Sequence, residues 1–146
     1  MKKRLLSICL VLALCLTCVP SALAVGDGRF SEGTGMPDDP YQISTAQDLF
    51  ALADAVNKGM SYEGKYFRLT KDIDLETDAN HPWTPIGNSA TAQGQQFLGS
   101  FDGGGYTVRG LYVEGTHGYA GLFGVVGMLS RNTTAEVKNL RVEGEV

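Results

Sequence analysis

Residues 97–124 read FLGSFDGGGYTVRGLYVEGTHGYAGLFG. Within this stretch Val108-Arg-Gly-Leu111-Tyr-Val113-Glu-Gly115 matches Val137-Lys-Asn-Leu140-Arg-Val142-Glu-Gly144, an offset of 29 residues. The shared pattern is V-x-[G/N]-L-x-V-E-G. In a strand, side chains alternate between faces, so Val108 and Leu111 share a face only if the chain slips by one residue between them. The slip falls at Gly110 in the first copy and at Asn139 in the second, two residue types that tolerate the left-handed backbone region. A corner there keeps Val108, Leu111 and Val113 all inward. A short strand unit with one bent corner, repeated, is the mark of a solenoid. The pattern therefore predicts a mainly β fold, a right-handed parallel β-helix fragment.

Upstream of this stretch the period is also two. From Tyr66, Phe67 and Leu69 point inward and Arg68 and Thr70 outward. Ile73 and Leu75 resume the inward set, with Asp72 and Asp74 outward. Asp102-Gly-Gly-Gly105 reads as a turn, after which Tyr106 and Val108 share a face. The expected core is Phe67, Leu69, Ile73, Leu75, Phe101, Val108, Leu111, Val113, Leu122, Phe123, Val137, Leu140 and Val142. One helix interrupts the β pattern. Ser44 to Gln47 and Thr45 to Asp48 both offer capping-box spacing. Leu49, Leu52, Ala53 and Val56 follow at helical spacing, and Asn57 and Gly59 end the run. A helix with a single apolar face suits covering the open end of a stack of strands.

The N-terminus speaks to the compartment. Lys2, Lys3 and Arg4 precede an apolar run from Leu5 to Val19, and Ala22-Leu-Ala24 supplies small residues for cleavage after Ala24. This is the pattern of a secretory signal peptide. The competing reading, a transmembrane anchor, needs roughly 20 apolar residues. Cys9, Cys15 and Cys18 all lie in this segment, so the mature chain carries no disulfide. Leu14 and Thr17 precede the latter two cysteines and do not suit lipidation. The organisation expected is signal peptide over 1–24, lead-in loop and short strand over 25–43, capping helix over 44–59, and β-solenoid rungs over 60–146.

Beyond Ala24 all 16 acidic residues face nine of the 12 basic ones, a net charge of −7. An acidic chain without a basic run disfavours nucleic acid and anionic membrane surfaces as partners. No H-E-x-x-H, G-x-S-x-G or phosphate-loop lysine occurs, and the mature chain has no thiol nucleophile. Asp72 and Asp74, about 7 Å apart at strand rise, are the one carboxylate pair with suitable spacing for a glycosidase pair or a weak calcium site. The bland alternative is a solvated strand face. Trp83, Tyr106 and Tyr112 are the candidate ligand-binding residues, as aromatic stacking surfaces for a sugar, with a buried loop anchor as the competing reading for Trp83. Asn132-Thr-Thr134 fits a glycosylation sequon and reads here as an exposed loop.

Several motifs then follow in order: D-D-P-Y-x-I-x-T-A-x-D-L from Asp38, K-Y-F-x-L-T-x-D-I-D-L from Lys65, and W-x-P-I-G from Trp83. F-x-G-x-F-D-G-G-G-Y-T-V-x-G-L from Phe97, G-L-F-G from Gly121 and V-K-N-L-x-V-E-G-x-V from Val137 complete the series. Over about residues 33–146 the chain resembles the N-terminal part of bacterial surface proteins that carry the GLUG motif. That resemblance implies a right-handed parallel β-helix on a secreted or cell-surface protein, with GLUG units also found beside immunoglobulin-cleaving metalloproteases. It implies a role in surface display or adhesion, with no agreed ligand; the partner expected for this chain is a host or environmental glycan or a surface protein. Members of that family carry more rungs and often a wall-anchoring tail, so a fragment or shortened relative is expected. The functional expectation is an exported, non-catalytic display or adhesion module without a required cofactor. The alternatives are a carbohydrate-active enzyme, by analogy of fold alone, or a scaffold that self-associates through its last rung.

Overall fold

A computed structural model of the chain describes residues 29–89, 95–114, 118–127 and 134–146. The signal segment, His117 and the first two residues of the Asn132 sequon lie outside the described residues.

Strand alternation is realised as two sheets with parallel strands. Strands β1 (Tyr41–Ile43), β2 (Tyr66–Leu69), β4 (Ser100–Asp102) and β6 (Glu136–Lys138) form one sheet in that order. Strands β3 (Ile73–Asp74), β5 (Thr107–Tyr112) and β7 (Arg141–Glu145) form the other. Every pairing is parallel: Tyr41 lies beside Phe67, Phe67 beside Phe101, and Phe101 beside Val137. In the second sheet Ile73 lies beside Val108, and Val108 beside Val142. Consecutive strands alternate between the sheets from β2 onward, so each circuit of the chain adds one strand to each.

A third row of contacts joins the segments between these sheets. Ile86 bridges Phe123 and Phe97 bridges Val126, both in parallel. The Trp83 N–H donates to the Tyr112 carbonyl at 2.7 Å, and the Gly124 N–H to the Ile86 carbonyl at 2.9 Å. The W-x-P-I-G segment thus lies on G-L-F-G. A Cβ added at Gly124 would stand 2.5 Å from the Gly87 carbonyl oxygen, a separation that only glycine permits here.

The helix α1 (Ala46–Asn57) starts from Thr45 rather than Ser44. The Thr45 hydroxyl accepts the Asp48 N–H at 3.1 Å, while the Asp48 carboxylate accepts the N–H groups of both Ser44 and Thr45 at 2.9 Å. A charged acceptor near the positive end of the helix selects that register. Leu49, Leu52, Ala53, Ala55 and Val56 are buried. The Phe50 ring lies 5.1 Å from that of Trp83. Asn57 at the other end is bonded to the Pro85–Asn88 loop: its Nδ2 donates to the Pro85 carbonyl, and its Oδ1 accepts from Gly87 and Asn88. The helix therefore covers the Trp83–Asn88 segment.

Nine residues of the expected core are buried: Phe67, Leu69, Ile73, Leu75, Phe101, Val108, Leu111, Val113 and Leu122. Phe123, Val137 and Leu140 pack against that core half-buried. Val142 departs from expectation. It is 40% exposed, because β6 and β7 each pair on one side only among the described residues. The lead-in segment contributes more than a loop. Phe30 is buried and its ring packs against Tyr41, Tyr62 and Phe67, while Gln42 donates its N–H to the Glu32 carbonyl along the outer edge of β1.

The eight-residue repeat also requires a correction. Its two copies do not stack in register: Val137 neighbours Phe101, not Val108, and the stacking offsets are 33 to 36 residues from β2 onward, not 29. Gly110 and Asn139 do take the left-handed conformation, at φ 66° and 53°. Gly110 lies at the register shift inside β5, whereas Asn139 turns the chain from β6 to β7. The shared pattern encodes a bend, and the bend is used in two places.

Candidate functional site

The outward side chains of the first sheet stand in register as Gln42, Arg68, Asp102 and Lys138, one from each strand. Neighbouring strands lie about 4.8 Å apart, so these four form a polar row across the sheet. The lead-in loop borders the row at Pro37–Pro40, and Tyr106 borders it at the turn that leaves β4. Two shallow hollows meet at Arg68 and Gly104. One, of about 430 Å³, is lined by Asp38, Asp39, Gln42, Thr70 and Tyr106. The other, of about 580 Å³, is lined by Asp102, Gly105, Asn139, Leu140 and Arg141.

The turn that builds this face is tightly specified. Gly104 and Gly105 both have positive φ, 60° and 82°. The Asp102 carboxylate accepts the Gly104 N–H at 2.9 Å and the Asn139 side-chain amide at 3.0 Å. Those hydrogen bonds, the Asn139 amide first, hold the Asp102 carboxyl below the ordinary aspartate range, with the positive charges of Arg68 and Lys138 adding to the effect. The Tyr106 N–H closes the turn on the Gly103 carbonyl. Tyr106 therefore ends the turn instead of opening the strand. It does not share the inward face of Val108: it is 39% exposed, whereas Val108 is buried.

The other aromatic candidates sit elsewhere. Trp83 is 1% exposed and its indole N–H donates to the Leu122 carbonyl at 3.1 Å. A ring enclosed in this way cannot stack on a ligand, so Trp83 is a core residue and not a binding residue. Tyr112 points outward between buried Leu111 and Val113 and is half-buried. It borders a separate hollow with Thr77, Asp78 and Gly144, remote in the fold from the polar row.

The Asp72 and Asp74 carboxylates are engaged in tying neighbouring strands. Asp72 accepts the Thr107 N–H at 2.8 Å. Asp74 accepts the Glu76 N–H at 3.1 Å and is ion-paired with Arg109 at 3.0 Å. Sequence spacing gives Asp74 no arginine; the fold brings one from 35 residues away. The Arg109 bond, followed by the Glu76 N–H, lowers the Asp74 pKa. No group of three or more His, Cys, Asp or Glu side chains suited to a metal ion occurs among the described residues. His81 is exposed beside Asp78, with 3.6 Å between Nδ1 and the carboxylate.

Sequence motifs marked Asp102 and Asn139 only as turn and bend residues, and did not mark Arg68. The signal available was the alternation itself, which puts Arg68 outward. What alternation does not give is which outward residues become neighbours.

No protein-family model matches the chain, and no solved structure matches it. Two curated proteins are similar to it. A Gly-rich membrane protein of Evansella cellulosilytica is 39% identical over 121 residues, 79% of this chain and 13% of that protein. Halomucin of Haloquadratum walsbyi is 30% identical over 119 residues, 77% of this chain and 1% of that protein. The chain thus spans a small part of the length of both relatives. Among the described residues no helix is long and apolar enough to cross a membrane.

Proposed function

We propose that this chain is a non-catalytic module of an exported surface protein, a short right-handed parallel β-helix of the GLUG type that binds glycan on the outer face of its first sheet. One observation carries the reading. An exposed tyrosine, Tyr106, borders a polar row of Gln42, Arg68 and Asp102 on a flat, regularly spaced sheet. Aromatic rings beside amide, guanidinium and carboxylate groups suit sugars, which present apolar ring faces and hydroxyl edges. The alternating strand order supports the architecture, and the names of the two relatives, a Gly-rich membrane protein and halomucin, support a place at the cell surface. The opposing reading, a polysaccharide-degrading enzyme, draws on Asp72 and Asp74, and both carboxylates are committed to Thr107, Glu76 and Arg109. Titration of the mature protein with a panel of neutral and acidic oligosaccharides tests the proposal. Binding without depolymerisation, weakened in Tyr106→Ala, is expected. Chain cleavage lost in Asp72→Asn would establish an enzyme instead.

A second reading is supported by the edge at β6 and β7. Val142 and Val146 are 40% and 72% exposed there, and β6 and β7 each pair on one side only among the described residues. Self-association through this edge predicts a concentration-dependent mass in sedimentation that Val142→Glu abolishes.

A further inference from the structure

The two hollows at Arg68 differ in charge. The side chains of Arg68 and Arg141 make no hydrogen bond or ion pair among the described residues, although both line the hollow that contains Gly105 and Asn139. Lys138, next in the row, is already paired with Glu136 at 2.9 Å. Asp102, the natural partner of Arg68, is instead fastened to Asn139 and Gly104. Arg68 is thereby left with its planar set of donors facing outward, and Arg141 supplies a second set from the neighbouring corner. At the opposite end the hollow beyond Tyr106 is bordered by two carboxylates, Asp38 and Asp39, with Gln42. Carboxylates accept from sugar hydroxyls and repel anions; guanidinium groups bind planar oxyanions in bidentate fashion.

We propose that the groove is directional and takes an acidic glycan. A carboxylate- or sulfate-bearing sugar sits between Arg68 and Arg141, Tyr106 stacks on the adjoining ring, and a neutral residue extends toward Asp38 and Asp39. This rests on the glycan-binding reading and adds its substrate class and orientation. The overall negative charge of the chain does not oppose it, because exposed charges act over about 8 Å at physiological salt, and the local balance around Arg68, Arg141 and Asp102 is positive. Exposed pairs of this kind are individually weak, so selectivity comes from two guanidinium groups acting together.

The test is calorimetric titration of the whole mature chain with an oligogalacturonate, a sulfated oligosaccharide of equal length, and their neutral counterpart. The acidic ligands should bind more tightly than the neutral one and weaken with added salt. Arg141→Gln should reduce acidic binding by about tenfold and leave neutral binding unchanged, while Arg68→Gln should reduce acidic binding by at least as much and weaken neutral binding less. Tyr106→Ala should weaken both. Preference between the uronate and the sulfate identifies which oxyanion the arginines take. Equal binding of acidic and neutral sugars, insensitive to both arginine substitutions, would overturn the acidic assignment while leaving glycan binding intact. Equally tight binding of polyglutamate would overturn it as well, since mere attraction of polyanions would then explain the result. Binding of no glycan at all would remove both readings.

Discussion

The side-chain oxygen of Asn57 accepts the backbone N–H of Gly87 at 3.1 Å, across 30 residues of chain. It accepts from Asn88 as well, and the amide of the same side chain donates to Pro85. One residue at the end of α1 thus fixes the loop whose glycine lies against G-L-F-G. Asn57→Ala removes three hydrogen bonds from a half-buried position. At about 1 kcal/mol each, it should cost about 2–3 kcal/mol. Asn57→Asp, which keeps both acceptor bonds and loses the donor to Pro85, should cost less. Urea denaturation of the two variants against wild type checks the order.

Acid should destabilise the protein through its aspartates. Asp74, Asp78 and Asp102 all have pKa values lowered in the fold, by Arg109, by the His81 and Asn80 N–H groups, and by Asn139 and Gly104 respectively. Groups lowered on folding stabilise above their ordinary value and lose that contribution as pH falls through the folded value. Arg109 and Lys138 are raised, by Asp74 and Glu136, and their contributions are lost only as pH climbs through the raised values, far above neutrality. The melting temperature should therefore be flat around neutrality, begin to fall near 3.8, and keep falling below it. Asp102→Asn should flatten the acid limb. An unchanged acid limb in that variant would disprove the assignment.

Gly105 and Gly124 are required for different reasons, and asparagine distinguishes them. Gly105 has φ 82° and open space where a Cβ would go. Gly105→Ala should cost about 1–2 kcal/mol from backbone strain alone, and Gly105→Asn should recover much of it, as Asn139 manages at φ 53°. At Gly124 a Cβ meets the Gly87 carbonyl, with the Pro85 and Tyr119 Cβ atoms at 3.2 and 3.1 Å. Both Ala and Asn should fail there equally. Thermal melts of the four variants check this.

The single tryptophan provides an internal reporter. Trp83 is enclosed, so its emission should be blue-shifted in the native state and insensitive to any sugar that binds. Trp83→Ala should cost about 3–5 kcal/mol, as for other large buried rings. Emission that shifts on glycan addition would mean that the ligand reaches the core face and not the Tyr106 face.

Much of the β character was readable from the chain, and for a physical reason. Alternation along Tyr66–Leu69 and the left-handed tolerance of Gly110 and Asn139 are local properties, and local sequence specifies them. The helix was equally legible, since Thr45, Asp48 and the Leu49–Val56 face act within one segment. Register was not legible. Which strand lies beside which depends on how much chain the intervening loops consume, and Val137 meets Phe101 because of that length, not because of its resemblance to Val108. The polar row of Arg68 and Asp102 was hidden for the same reason: its members are 34 residues apart. Sequence left two readings of Trp83, a stacking surface and a buried loop anchor, and the fold supports the anchor, because Phe50, Tyr112 and Leu122 enclose it.

The parallel pairing has a consequence for how the protein acquires its structure. Only β1 and β2 are both consecutive strands and paired, and α1 lies between them; the separations run from Tyr41–Phe67, 26 residues, to Phe101–Val137, 36 residues. Contact order is accordingly high, and each ladder must close a long loop before any of its hydrogen bonds form. The helix forms locally, and it precedes in the chain the Trp83–Asn88 segment it covers. A chain made N-terminus first would present this end before the rest, and each later strand would meet a partner already in place. Strands would then be added in chain order, at a rate set by loop closure.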